Sequence, residues 1–145
     1  MLDLVLAILH HFFAFALFAV LFAELVGVRC GMDTTAVMRI QVIDAWYGVL
    51  AALIVIVGFS RAIFAAKGWG YYEHNAFFWA KIGTFAVIGL LSIAPTVAFL
   101  RWRRATTTPT DAAVAKVRPC LWIQVALFPL LPAFAAAMAR GYGEF

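Results

Sequence analysis

Two adjacent histidines, His10 and His11, lie in an apolar run near the start of the chain, and Lys81 begins another such run. Imidazole is the usual axial ligand of b-type haem, and helical bundles place such ligands inward from facing helices. A deprotonated Lys81 amine is a second candidate ligand, and a charged one would bind a propionate. The alternatives are imidazoles that bond only to main chain, and a lysine that extends to the membrane surface.

Four further ionisable residues accompany apolar runs. An ionised side chain at membrane depth costs on the order of 3 kcal/mol, so each needs a partner or a purpose. Arg61 suits a carboxylate, for which a porphyrin propionate and a lipid phosphate are the candidates. Glu24, Arg39 and Asp44 lie between the first two apolar runs, near the membrane boundary opposite to the one close to Arg61. Either Arg39 forms an ion pair with one of these carboxylates, or the three belong to a path for protons or cations.

The composition indicates that lipid solvates part of the chain. Of its 145 residues, 66% are hydrophobic and 12% are charged, whereas a soluble domain carries about a quarter charged residues. This excludes a soluble enzyme, a secreted disulfide scaffold and a disordered tail. The net charge is +4, but the cations flank apolar runs and form no basic face, which argues against nucleic-acid binding. Cys30 and Cys120 match no metal-binding spacing, and we expect free thiols.

Four runs without Asp, Glu, Lys or Arg predict an all-α bundle of four transmembrane helices, in a single domain over residues 1–145. About 20 apolar residues cross the hydrocarbon layer as a helix. The runs are Leu4–Ala23, Ala45–Ser60, Ile82–Leu100 and Pro119–Ala139.

The predicted connections are short. We expect Thr34 or Thr35 to cap the second helix, a turn at Lys67–Gly70, and Asp111 to cap an early start of the fourth helix. Prolines should bend the third and fourth helices, and the pair in the fourth should open a bay beside the histidines. These prolines are Pro95, Pro129 and Pro132.

The distribution of Lys and Arg predicts the orientation. Positive charge prefers the cytoplasm, and the first and third connections hold seven cations against three elsewhere, so both termini should face outward. His10, His11, Arg61 and Lys81 then lie in the outer half of the membrane. The seven cations are Arg29, Arg39, Arg101, Arg103, Arg104, Lys116 and Arg118, and the three are Arg61, Lys67 and Arg140.

The segments "LAILHH", "RIQVIDAWYGVLAALIVIVGFSR" and "YYEHNAFFWAKIGTFAVIGLLSIAPT" together resemble a family of uncharacterised small bacterial membrane proteins with four helices. The chain is more distantly similar to HemJ-type protoporphyrinogen IX oxidases and to CopD-like membrane domains. The HemJ similarity rests on Leu9-His10 and on a Trp-x-x-Lys-like element, matched by Trp79 and Lys81 with one residue fewer between them. It implies haem binding by His10, or by its neighbour His11, and by Lys81.

The sequence hypothesis is therefore an integral protein of the bacterial inner (plasma) membrane that binds haem b and acts as a haem-dependent oxidoreductase. His10 or His11 would ligate iron, Lys81 would supply a second ligand or a propionate contact, and Arg61 would hold a propionate. The hypothesis includes quinone or porphyrin as a small-molecule partner and assembly of the chain into a homo-oligomer. The alternative is a small transporter or metal-handling module without enzymatic activity that uses the same buried ionisable residues.

Overall fold

The computed structural model describes residues 1–64, 68–105 and 107–145. Six helices account for most of these residues, and no β-strand occurs among them. In chain order the helices are α1 (Leu2–Gly27), α2 (Thr34–Phe64), α3 (Gly68–Glu73), α4 (Ala76–Ala105), α5 (Asp111–Leu127) and α6 (Leu130–Ala139).

Four spans are long and apolar enough to cross a membrane, which confirms the predicted all-α architecture with four membrane helices. They are α1, α2, α4 and the continuous stretch Asp111–Ala139, which contains α5 and α6. Many large apolar side chains point away from the bundle, among them Phe12, Ile56, Leu90 and Trp122. Helices satisfy their backbone hydrogen bonds internally, so such a surface is stable when lipid covers it.

The four spans pack as a ring, in which α1 contacts α2 and α5, and α4 contacts α2, α5 and α6. The first and third connections meet at one end of this ring. There the Arg118 guanidinium donates to the carbonyl of Val28 at 2.7 Å, and Arg103 donates to Gln41 Oε1 at 2.5 Å. Two cations that flank the third connection thus bond to residues in and just after the first connection, so both connections share one end of the bundle, as the orientation prediction requires. Which side of the membrane that end faces stays a prediction.

Two helix caps differ from the predicted ones. Asp33 Oδ1, and not Thr34 or Thr35, accepts the amide of Ala36 at 2.7 Å at the start of α2. Thr110, and not Asp111, caps α5 by accepting the amide of Ala113. In both cases the residue immediately before the first helical residue has the side-chain oxygen that reaches the free amide three positions on.

The predicted turn at Lys67–Gly70 is wrong where the structure describes it. Lys67 lies outside the described residues, and Gly68–Gly70 begin the short helix α3. Aromatic packing explains the helix, because the Trp69 and Tyr72 rings both lie against Phe78, at centroid distances of 6.0 and 5.5 Å. Trp69 and Tyr72 are three residues apart and therefore share one face of a helix.

Prolines interrupt the fourth span, where a bend is predicted. The bend predicted at Pro95 in the third span stays a prediction. Helix α5 ends at Leu127 and α6 begins at Leu130, with Phe128 and Pro129 between them. Pro129 and Pro132 lack the amide hydrogens that would continue the helical bonding. By contrast, α4 continues through Pro95, which is buried.

Asn75 joins the start of α4 to the end of the chain. The residue is 0% exposed. Its Oδ1 accepts the amides of Phe77 and Phe78, and its Nδ2 donates to the carbonyl of Tyr142 at 3.0 Å. Gly143 continues this contact by accepting the Ala76 amide at 2.8 Å. One side chain therefore caps a membrane helix and holds the C-terminal segment.

We expect Asn75→Ala to lower the free energy of unfolding by about 2 kcal/mol, because it removes a helix cap and a buried donor. Hydrogen exchange should accelerate at Phe77 and Phe78. Asn75→Asp separates the two roles, since it keeps the acceptor for the amides but loses the donation to Tyr142. Equal exchange in all three proteins would contradict this account.

Candidate functional site

The structure brings three of the predicted site residues together at one end of the bundle. His10 of α1 and Lys81 of α4 are in direct contact, with 3.3 Å between His10 Nε2 and Lys81 Nζ. Arg61, near the end of α2, lies within electrostatic range of both. Lys81 therefore turns inward to the imidazole rather than outward to the membrane surface.

Two nitrogen atoms of this group have unused hydrogen-bonding capacity. His10 Nδ1 and Arg61 Nε are both buried without a hydrogen-bond partner among the described residues. A buried polar atom without a partner costs about 1–3 kcal/mol, and buried polar atoms in folded proteins are normally paired. These two atoms thus point to a partner that the described part of the chain does not supply.

Gly58 of α2 gives His10 its position. A Cβ at this residue would lie 3.2 Å from His10 Cε1 and 3.5 Å from His10 Nδ1, so the imidazole packs directly on the α2 backbone. A Cβ at position 58 would require the ring to move by a few tenths of an ångström, and a longer side chain would require more. Small residues allow this kind of close approach between membrane helices.

His11 is placed differently from His10, as a rotation of 100° per residue predicts. Its ring stands at 90° to that of His10 and its Nδ1 lies 2.7 Å from the carbonyl of Ala7, on the same helix. The main-chain alternative considered for both histidines thus describes His11. His74 lies outside the site: its side chain is 63% exposed, next to Glu73.

A cavity of about 930 Å³ opens beside the three basic residues. This lies within the usual range of roughly 300–1,000 Å³ for small-molecule sites. Pro129 and Pro132 line it together with His10, so the cavity occupies the predicted bay next to the break in the fourth span. None of its described lining residues is acidic. Its apolar walls include Phe15, Phe18, Ile54, Phe85, Phe128 and Leu131.

A second polar group lies toward the opposite end of the bundle. Glu24 is 2% exposed and Asp44 is 7% exposed, and their carboxyl groups are within electrostatic range of each other. Arg39 is exposed and forms no ion pair with either of them among the described residues. Instead, Asp44 Oδ1 accepts a 2.6 Å hydrogen bond from the Thr96 hydroxyl.

Sequence reasoning missed three members of this second group. Besides Thr96, the Tyr47 hydroxyl donates to Gln124 Oε1 at 3.3 Å, and both residues are buried. Signals in the sequence could have identified Tyr47 and Gln124. Tyr47 is three residues after Asp44 and so shares its helix face, and Gln124 is the only amide in the Pro119–Ala139 run.

In the described part of the chain, His10 is not joined by enough His, Cys, Asp or Glu side chains to bind a metal ion without other ligands. No group of three or more His, Cys, Asp or Glu residues there could hold a metal ion. Cys30 and Cys120 are free cysteines, as expected. A metal at the His10 position would therefore need ligands from outside the protein, as the iron of a macrocycle has.

Comparison with known proteins identifies the family. Residues 2–143 match the family described as "Predicted membrane protein (DUF2214)". The chain belongs to this family. The predicted kinship with a family of uncharacterised membrane proteins is thereby confirmed, whereas nothing supports the similarity to HemJ-type or CopD-like proteins. No curated protein and no solved structure matches the chain.

Proposed function

We propose that this integral membrane protein binds haem b in the cavity and has a redox role. The observation that carries the proposal is the buried Nδ1 of His10, which lacks a partner among the described residues and belongs to a residue of the cavity wall. When His10 Nε2 donates its proton to a neutral Lys81 amine, Nδ1 presents a lone pair. The second nitrogen of an iron-ligating imidazole is normally held by such a hydrogen bond.

The remaining lining fits the shape and charge of a haem. Its apolar and aromatic walls suit a flat macrocycle and exclude water, and Pro129 and Pro132 line it beside the break in the fourth span. Arg61, with its free Nε, is the residue we assign to a propionate, because a guanidinium stays charged and binds carboxylates well. Lys81, as the neutral amine that holds His10, leaves Arg61 as the cation assigned to a propionate.

The iron would carry the electrons, and the protein would set its potential through ligand identity and burial. We assign the electron exchange to a quinone or porphyrin partner and the location to the bacterial inner membrane. Assembly into a homo-oligomer remains a prediction.

An absorption spectrum of the protein, purified in mild detergent from haem-replete cells, tests this function. We expect a Soret band in the wild type and at least a tenfold loss of haem affinity in His10→Ala, since that variant removes the ligand. His74→Ala is the matched control and should retain the band, because His74 is exposed and does not line the cavity. A colourless wild type after addition of haemin would overturn the proposal, as would a His10→Ala spectrum identical to that of the wild type.

The second candidate function is a transporter without enzymatic activity. It is favoured by one observation: ionisable residues occupy the bundle at two depths, because His10 and Glu24 are 14 positions apart on α1, or about 21 Å of helical rise. Proton or cation flux into vesicles that contain the purified protein tests this candidate, and Glu24→Gln should abolish the flux.

A further inference from the structure

Each of the four membrane spans contributes an oxygen-bearing side chain to one polar region of the bundle interior. Glu24 comes from α1, Asp44 from α2, Thr96 from α4 and Gln124 from α5. The hydrogen bond from Thr96 to Asp44 links α4 to α2, and the one from Tyr47 to Gln124 links α2 to α5. Glu24 is within electrostatic range of Asp44 and of Tyr47. These five residues are called the carboxylate cluster below.

The carboxylate cluster contains an acceptor that nothing in the described chain satisfies. Glu24 is 2% exposed, and its Oε1 is buried without a hydrogen-bond partner there. No described Lys or Arg lies within ion-pair distance of Glu24 or Asp44. The nearby cation Arg118 is engaged with the carbonyl of Val28. Two carboxyl groups are thus buried together without a compensating charge, which is costly for a folded protein.

We propose that the carboxylate cluster binds a hard metal cation, held by Glu24 and Asp44 and by the neutral oxygens of the same cluster. Oxygen ligands select hard cations such as sodium and calcium over the softer transition metals. The Gln124 amide supports this choice, because its nitrogen donates to the Cys120 carbonyl at 3.2 Å and its oxygen therefore faces Tyr47. The Thr96 hydroxyl provides a further neutral oxygen beside Asp44.

This inference is independent of what the cavity binds. The two sites are separated by about 21 Å along α1 and share no residue. The protein could therefore bind the cation without binding haem, or bind haem without binding the cation.

Thermal unfolding of the full chain in mild detergent tests the proposal. A ligand that binds only the folded state raises the midpoint as its concentration increases. At constant ionic strength, with N-methylglucamine as the baseline cation, NaCl or CaCl2 should raise Tm in a saturable way. The salt that acts at the lower concentration identifies the cation as monovalent or divalent. The proposal is overturned if neither salt raises Tm above the N-methylglucamine baseline, or if Tm changes with pH alone. Protons rather than a metal cation would then neutralise the carboxyl groups.

Variants assign the effect to the cluster. Glu24→Gln should weaken the cation dependence of Tm at least tenfold, whereas Glu73→Gln, the same change at a residue outside the bundle core, should leave it intact. Thr96→Val removes one neutral ligand and should weaken cation binding less than Glu24→Gln does. If Glu24→Gln does not fold, calorimetric titration of the wild type and of Thr96→Val decides the question. The assignment is overturned if Glu24→Gln binds the cation as tightly as the wild type does. If Glu24→Gln does not fold, the same result in Thr96→Val overturns it.

Discussion

Replacing Gly58 by leucine is expected to abolish haem binding while the bundle stays folded. A Cβ at this position already lies 3.2 Å from His10 Cε1, and the rest of a leucine side chain must take space from the imidazole or the cavity. Because His10 would leave the position that presents Nδ1, haem affinity should fall by at least a hundredfold. Haem titration followed by absorption spectroscopy measures the loss.

Gly48→Leu is the matched control on the same helix. Nothing lies within 4 Å of a Cβ at Gly48, so this variant should bind haem as the wild type does. It should also be slightly more stable, because the helix propensity of leucine exceeds that of glycine by about 0.8 kcal/mol. If Gly58→Leu and Gly48→Leu bind haem equally, the cavity beside His10 is not the haem site.

Phe99→Ala should be the most destabilising of the core substitutions considered, lowering the free energy of unfolding by about 3 kcal/mol. The Phe99 side chain is 0% exposed and its ring lies 5.5 Å from that of Trp102. Truncation leaves a void that rigid neighbouring helices cannot fill. The value is at the low end for buried phenylalanine, because a chain unfolded in a bilayer keeps its apolar surface in lipid.

Phe12→Ala provides the comparison for this prediction. Phe12 is 62% exposed on α1, so lipid can occupy the space that its ring vacates, and we expect a loss below about 0.5 kcal/mol. Reversible unfolding in mixed detergent micelles measures both variants. Equal losses for Phe12 and Phe99 would mean that the packing around Phe99 does not stabilise the bundle.

Helix assignment in this protein followed from the sequence because the bilayer imposes a length. Charge-free runs such as Leu4–Ala23 have to be helical in hydrocarbon, whatever they pack against. The position of the break in the fourth span also followed, since Pro129 and Pro132 cannot continue the backbone ladder. Local chemistry alone determines both features.

Helix termini and polar partners could not be predicted as well. The caps at Asp33 and Thr110 each lie one or more residues from the predicted positions, because several neighbouring polar residues could reach the same free amides. An ion pair of Arg39 with Glu24 or Asp44 is one of the two alternatives that the sequence leaves open. The place of Arg39 depends instead on the rotation of α2, which turns Arg39 outward and Asp44 toward Thr96.

By itself, the sequence determined four apolar spans, the cations that flank them and a small set of ionisable residues within them. Each of these features depends only on the composition of a continuous segment, so hydrophobic length and backbone hydrogen bonding fix it. The tertiary structure alone decided which side chains these residues approach: His10 contacts Lys81 beside a cavity, and Asp44 bonds to Thr96 within electrostatic range of the buried Glu24. Such meetings depend on how the helices rotate and approach, which small residues such as Gly58 permit and which no single segment encodes.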